Sequence, residues 1–156
     1  MTTLPEDKAV PVADGLFSWP GRPRLTGGTC AACGTTTFPA QRSCPRCTGT
    51  DLRAVPLAET GRLWTWTVQA FEPKPPYAAD GPFKPFGVGY VELAAEDGNG
   101  AVLVESRLTT ADPDRLAIGA PMRLTFIPLR RDDSGAEVIT FAFEPTGQTG
   151  QTGETS

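Results

Sequence analysis

Four cysteines in two pairs are the residues of this chain best suited to chemistry: Cys30-Ala31-Ala32-Cys33-Gly34 and, ten residues on, Cys44-Pro45-Arg46-Cys47. A CxxC turn presents two thiolates on one side of a tight loop. Two such turns can bring four soft ligands onto one tetrahedral ion. These are all the cysteines the chain has, so none is left over as a nucleophile. The reading is a structural Zn2+ held by Cys30, Cys33, Cys44 and Cys47, with no open coordination position. The gap between the pairs is shorter than the usual interval for a four-cysteine site. Gly34 follows the first pair, where a positive φ is often needed, whereas Gly49 falls one residue later than a regular knuckle glycine would. Pro45 stiffens the second turn, and Arg42 and Arg46 supply charge that favours thiolates. Ligand type alone leaves a four-thiolate iron centre open. Disulfides would need an oxidising compartment. The start Met1-Thr2-Thr3-Leu4-Pro5-Glu6-Asp7 has neither the basic beginning nor the apolar run of a secretory leader, so a cytoplasmic location is expected. A redox CxxC usually comes singly near a βαβ pattern, which this sequence lacks.

The remaining chemistry is defined by what is missing. There is no histidine among the 156 residues, which removes the commonest general base and any Ser-His or Cys-His pairing. The formal net charge is -4, and four thiolates with one divalent ion bring it to about -6. That sign argues against a general nucleic-acid binder, which needs a basic stripe. No apolar run approaches membrane-spanning length, so no membrane partner is expected.

The elements that must position the cysteines are set by pattern. Abundant Gly and Pro suit short strands and turns. Residues 1–24 read as an N-terminal arm whose Leu16, Phe17 and Trp19 pack on the ribbon or the barrel, or alternatively dock a partner. A ribbon spans 25–55, with Phe38-Pro39 expected to cover the metal. Strand signals then come in series within 56–145. In Gly61 to Phe71, Trp64, Trp66 and Val68 alternate with Thr65, Thr67 and Gln69. Further strands are expected at Phe86 to Leu93, with glycines marking a bulge or corner, at Ala101 to Leu108, Pro121 to Leu129 and Ala136 to Phe143. Glu96 to Gly100 reads as a turn. Asp112-Pro113 reads as an N-cap and first residue of a short helix that Gly119 ends. Five strands with a short helix between the third and fourth is the plan of an OB-fold barrel. The fold class is therefore mainly β: an N-terminal zinc ribbon followed by a five-stranded OB-fold barrel. An SH3-like barrel or small sandwich shares much of this pattern. Residues 146–156 are a Gly-Gln-Thr run expected to be disordered.

One connection is too long. Glu72 to Pro85 joins the first two barrel strands, where two to five residues would serve. It holds five prolines with Lys74, Tyr77, Phe83 and Lys84. Rigid aromatic groups make good interface anchors. Trp19, Lys74, Tyr77, Phe83, Lys84 and Phe86 are thus candidate partner or ligand contacts, although Tyr77 and Phe83 can equally fold back on the barrel. Arg22, Arg24, Arg130 and Arg131 are candidates for phosphate recognition.

The order of parts carries a resemblance: the arm, Cys30-Ala31-Ala32-Cys33-Gly34 with Phe38-Pro39, Cys44-Pro45-Arg46-Cys47, Gly61-Arg62-Leu63-Trp64-Thr65-Trp66-Thr67-Val68, Gly87-Val88-Gly89-Tyr90-Val91-Glu92-Leu93 and Ile118-Gly119-Ala120-Pro121-Met122. Over about residues 16–145 the chain resembles the acyl-CoA-associated family that joins a rubredoxin-like zinc ribbon to an OB-fold. The resemblance implies a non-catalytic subunit in a hetero-oligomer with a thiolase-like catalytic subunit, a thiolase or an aldolase. The acyl-CoA would be handled through the partner, for example in steroid side-chain or aromatic-acid degradation, or in acyl transfer for polyketide-type synthesis. The residues agree that the usual thiolase groups are lacking; Glu92, Glu105 and Glu144 are expected on solvated strand faces. The competing readings are a single-stranded nucleic-acid module stacking bases on Trp64, Trp66 and Phe71, and a self-contained acyl-CoA binder or hydrolase.

Overall fold

A computed structural model describes residues 9–77, 80–96 and 100–146. The centre of the expected turn at 96–100 and the tail beyond Thr146 lie outside them. The first elements are β1 (Ala9–Pro11), then β2 (Thr26–Cys30), β3 (Thr36–Thr37) and β4 (Leu52–Pro56). The last three form an antiparallel sheet in the order β3-β2-β4. The barrel strands are β5 (Thr60–Gln69), β6 (Phe86–Ala94), β7 (Ala101–Leu108), β8 (Pro121–Arg131) and β9 (Glu137–Pro145), with a single 3-10 turn at Pro113–Arg115. As expected, Asp112 caps that turn by accepting from the Asp114 amide, and Pro113 opens it.

Strands β5, β6, β7, β9 and β8 pair in that order, and β8 returns to β5 to close the ring. All neighbours are antiparallel except β7 and β9, which run parallel through Arg107–Leu108 and Ala142–Phe143. Closure lets a short chain bury one core. Leu63, Val91, Leu93, Val104, Leu108, Met122, Ile139 and Phe143 fill the interior. Each such large side chain contributes about 1.5–3 kcal/mol by leaving water.

The arm is part of this core. β1 lies parallel beside β9, and Phe17 and Trp19 stack on Phe126 with ring centroids 4.8 and 5.3 Å away. The ribbon joins it through Leu25, Val55 and Leu57, all buried in the same cluster. A second joint is polar. The buried Arg24 donates from Nε to the Leu57 carbonyl at 3.1 Å and pairs with Glu59 and Glu96.

Two expectations change, and Phe38 gains a further role. Trp64, Trp66 and Val68 do not share a face. A bulge between Leu63 and Thr65 inserts one residue into β5, so Leu63 and Trp66 point inward while Trp64 is 57% exposed. The supposed stacking platform of Trp64, Trp66 and Phe71 is therefore not assembled. Phe38 turns its ring edge-on to Phe141 of the barrel, at 5.6 Å, and so joins the two modules. Arg24 is engaged in the joint and is not a free cation for phosphate.

Candidate metal centre

The ribbon builds two turns of the same backbone design. In the first, Cys30 donates its amide to the Thr35 carbonyl and Gly34 donates to the Cys30 carbonyl, at 2.9 and 2.8 Å. In the second, Cys44 donates to the Gly49 carbonyl and Thr48 to the Cys44 carbonyl, at 2.8 and 2.9 Å. Gly34 has φ of 81°, as the sequence suggests. Its counterpart is Thr48, the one non-glycine among the described residues with positive φ, at 63°. This explains the late Gly49: the left-handed position is filled by threonine. Gly49 serves a different need, because a Cβ there would stand 3.3 Å from the Cys47 sulfur.

The two turns bring all four Sγ atoms within 4.8 Å of one another. Cys30 and Cys47 are 3.6 Å apart, as are Cys33 and Cys44. A tetrahedron with metal–sulfur bonds of about 2.3 Å has edges of about 3.8 Å, so the cluster already has the dimensions of a four-thiolate zinc site. None of the four is in a disulfide. Backbone amides of Arg46 and Gly49 donate to the sulfurs of Cys44 and Cys47, both at 3.4 Å, which favours their thiolates.

The acidities show why a cation belongs there. The Thr35 hydroxyl, 3.1 Å from the Cys33 sulfur, and the Thr35 amide pull the Cys33 thiol down to about 6. Cys44 is lowered chiefly by the Cys47 amide. At Cys47 the Gly49 amide favours the thiolate, but the neighbouring Cys30 and Cys33 thiols outweigh it and push the group up to about 11. Once one thiolate has formed, its neighbours resist losing their protons. A divalent ion removes that repulsion and lets all four ionise. Cys30 and Cys44 are buried, and Cys33 and Cys47 are exposed.

The candidate contact residues fall in two places. Trp19 is half-buried against Phe126 and belongs to the joint between arm and barrel; its indole N–H is buried without a partner. Tyr77, Phe83 and Phe86 come together as edge-to-face rings. Tyr77 and Phe83 are 6.5 Å apart, Phe83 and Phe86 are 6.1 Å apart, and the Arg107 guanidinium lies 3.7 Å over Phe86. Lys74 and Lys84 are exposed near them in the chain. Glu92 and Glu105 are exposed, and Glu144 pairs with Arg123 at 3.0 Å. No sequence signal marked Arg107 as a site residue, although its place over Phe86 follows from the β6–β7 register once that is known. Arg24 stood only as a phosphate candidate, and nothing local reveals its part in the joint. No helix of the described residues is long and apolar enough to cross a membrane.

With the geometry in place, the likeness to known proteins becomes specific. Residues 20–53 match the ChsH2 rubredoxin-like zinc ribbon domain, and residues 54–126 match the ChsH2 C-terminal OB-fold domain. A DUF35 domain-containing scaffold protein of Methanothermobacter thermautotrophicus is 30% identical over 81% of this chain and 90% of its own length. The benzoylsuccinyl-CoA thiolase subunit BbsA of Thauera aromatica is 26% identical over 78% of this chain and 76% of its own. Among solved structures, a chain of the Ltp2-ChsH2(DUF35) aldolase superposes with a TM-score of 0.54 at 28% identity, covering 80% of this chain and 86% of that one. Both modules being matched in order, the chain belongs to the ChsH2 family, in which a rubredoxin-like ribbon with a structural zinc site precedes an OB-fold.

Proposed function

We propose that this protein is the non-catalytic partner of a thiolase-superfamily catalytic subunit, a thiolase or thiolase-like aldolase, acting on acyl-CoA thioesters. The carrying observation is that the likeness to the aldolase chain and to BbsA extends through both modules. At the same time, all four thiols are drawn into one cluster suited to an ion. Thioester condensation or cleavage needs an activated nucleophile or base. A sequence without histidine, whose thiols are committed as metal ligands, leaves that task to the partner. Cys30, Cys33, Cys44 and Cys47 hold the zinc, which fastens the two turns of the ribbon to each other and takes no part in turnover. The complex works in the cytosol, and degradation of steroid side chains or aromatic acids is the metabolic setting this reading favours.

Co-expression with the thiolase-like proteins of the source organism tests it. A stable hetero-oligomer is expected, with acyl-CoA turnover that the catalytic subunit alone shows weakly or not at all. The isolated chain, given a CoA thioester and followed by release of free thiol, should give no product. Sustained turnover by the purified single chain would overturn the reading.

A further inference from the structure

The first half of β6 wears its side chains inside out, whereas Val91 and Leu93 further along point into the core. An antiparallel barrel strand normally sends apolar residues inward and polar ones to water. Here Gly87 and Gly89 point in, and Phe86, Val88 and Tyr90 point out. The interior leaves no choice: a Cβ at Gly87 would lie 2.5 Å from the Thr110 carbonyl oxygen, and one at Gly89 would lie 2.8 Å from that of Thr65. Phe86 is sheltered by Phe83 and Arg107. Tyr90 stays 40% exposed.

The neighbouring strands extend the apolar surface. The β5 bulge falls opposite Tyr90 and turns Trp64 outward. On β7, Leu103 pairs with Glu92, one outward position beyond Tyr90, and is 38% exposed. Ile118, 65% exposed, lies beside β5, because Leu63 exchanges backbone hydrogen bonds with Gly119 and Ala120. Four of the large apolar side chains left open to water among the described residues thus border one stretch of the β5–β6–β7 outer face. The positions around them alternate in charge: Arg62 and Arg107 against Glu92 and Glu105. An apolar centre with a mixed polar rim is the composition of a protein interface. The corresponding face of a strand-binding OB-fold is basic, whereas here two arginines are balanced by two glutamates.

We infer that the outward face of β5–β6–β7, centred on Trp64 and Tyr90, is the seat of the thiolase-like catalytic subunit. This inference rests on the function proposed for the chain. Trp64 is the principal anchor: a large rigid side chain, held out by a bulge, loses little entropy when it is buried.

The test co-expresses the full chain with each thiolase-like protein of the source organism and measures the affinity of the complex that forms. Trp64→Ala and Tyr90→Ala should each weaken it about thirtyfold or more, while Val12→Ser on the arm leaves it unchanged. Since Trp64 and Tyr90 are exposed, both variants should keep the zinc content and melting temperature of the wild type. A photo-crosslinking amino acid at position 64 should capture the catalytic subunit, and one at position 133 should not. Wild-type affinity in both variants, with crosslinks only from position 133, would overturn this surface and leave the functional reading standing. Failure of the wild-type chain to bind any thiolase-like protein would overturn both. Loss of a homodimer in the Trp64→Ala variant, or of wild-type binding to a single-stranded oligothymidine, would reassign the face to a second copy or to nucleic acid.

Discussion

The ribbon and the barrel both hold short strands together, but from different materials. In the ribbon, β2 is Thr26-Gly27-Gly28-Thr29-Cys30, and its buried positions carry almost no hydrophobic volume. Its order has to come from the four sulfurs and the ion they accept. The barrel has no metal-binding cluster among its described residues, and it buries Leu63, Leu93, Met122, Ile139 and Phe143 completely or nearly so. A module of about thirty residues cannot enclose a core of its own, so a cross-link or a metal must replace it. The barrel's closure gives each strand two neighbours and makes the core sufficient.

Perturbing each material in turn sharpens this contrast. The largest effect is expected from Cys44→Ser. Structural zinc is worth roughly 10 kcal/mol or more of folding, so the variant should lose the ion and its ribbon should unfold, while the barrel keeps its dispersed amide spectrum. A metal-replete, folded Cys44→Ser protein would break the comparison. Next comes Phe143→Ala, which should cost about 3–5 kcal/mol in urea unfolding of the barrel and leave zinc affinity little changed. Smaller is the exchange between the two turns. Thr48→Gly should raise the melting temperature by relieving a β-branched residue at positive φ, a gain of about 1 kcal/mol. Gly34→Thr should lower it by a similar amount. Equal and opposite shifts would show that the turns are energetically equivalent.

The smallest effect lies in the hairpin joining β8 and β9. The Asp132 carboxylate accepts from the Ser134 hydroxyl and from the amides of Ser134 and Ala136 at 2.7–2.9 Å, and the Ser134 hydroxyl first, then the Ala136 amide, hold its pKa below the usual carboxylate value. A depressed folded-state pKa means that the stabilisation is fully present above the unfolded value of about 3.9 and is lost as pH falls through the folded one. Amide exchange at Ser134 and Ala136 should accelerate in that acid range. In Asp132→Asn it should already be fast at neutral pH and insensitive to acid.

The metal site was legible because its determinants are local. Two CxxC turns and a glycine at the left-handed position declare themselves within eighteen residues, Cys30 to Cys47. The barrel was legible as a series of strands, since alternation and turn residues are short-range signals, and strands fell close to their expected places. Phe38, Arg24 and Trp64 were not. Their roles depend on Phe141, on Leu57 with Glu59 and Glu96, and on the β5–β6 register, all distant in sequence.

By itself the amino-acid sequence determined the ion-binding chemistry, the lack of histidine and free thiol, and the succession of β-elements, because each rests on residue type and near-neighbour spacing. Only the tertiary structure decided which side of β6 faces water. Inside the closed barrel, backbone carbonyls of Thr65 and Thr110 approach too closely to admit a side chain at Gly89 or Gly87. That crowding, a property of the assembled ring and of no single segment, is what turns Val88 and Tyr90 outward.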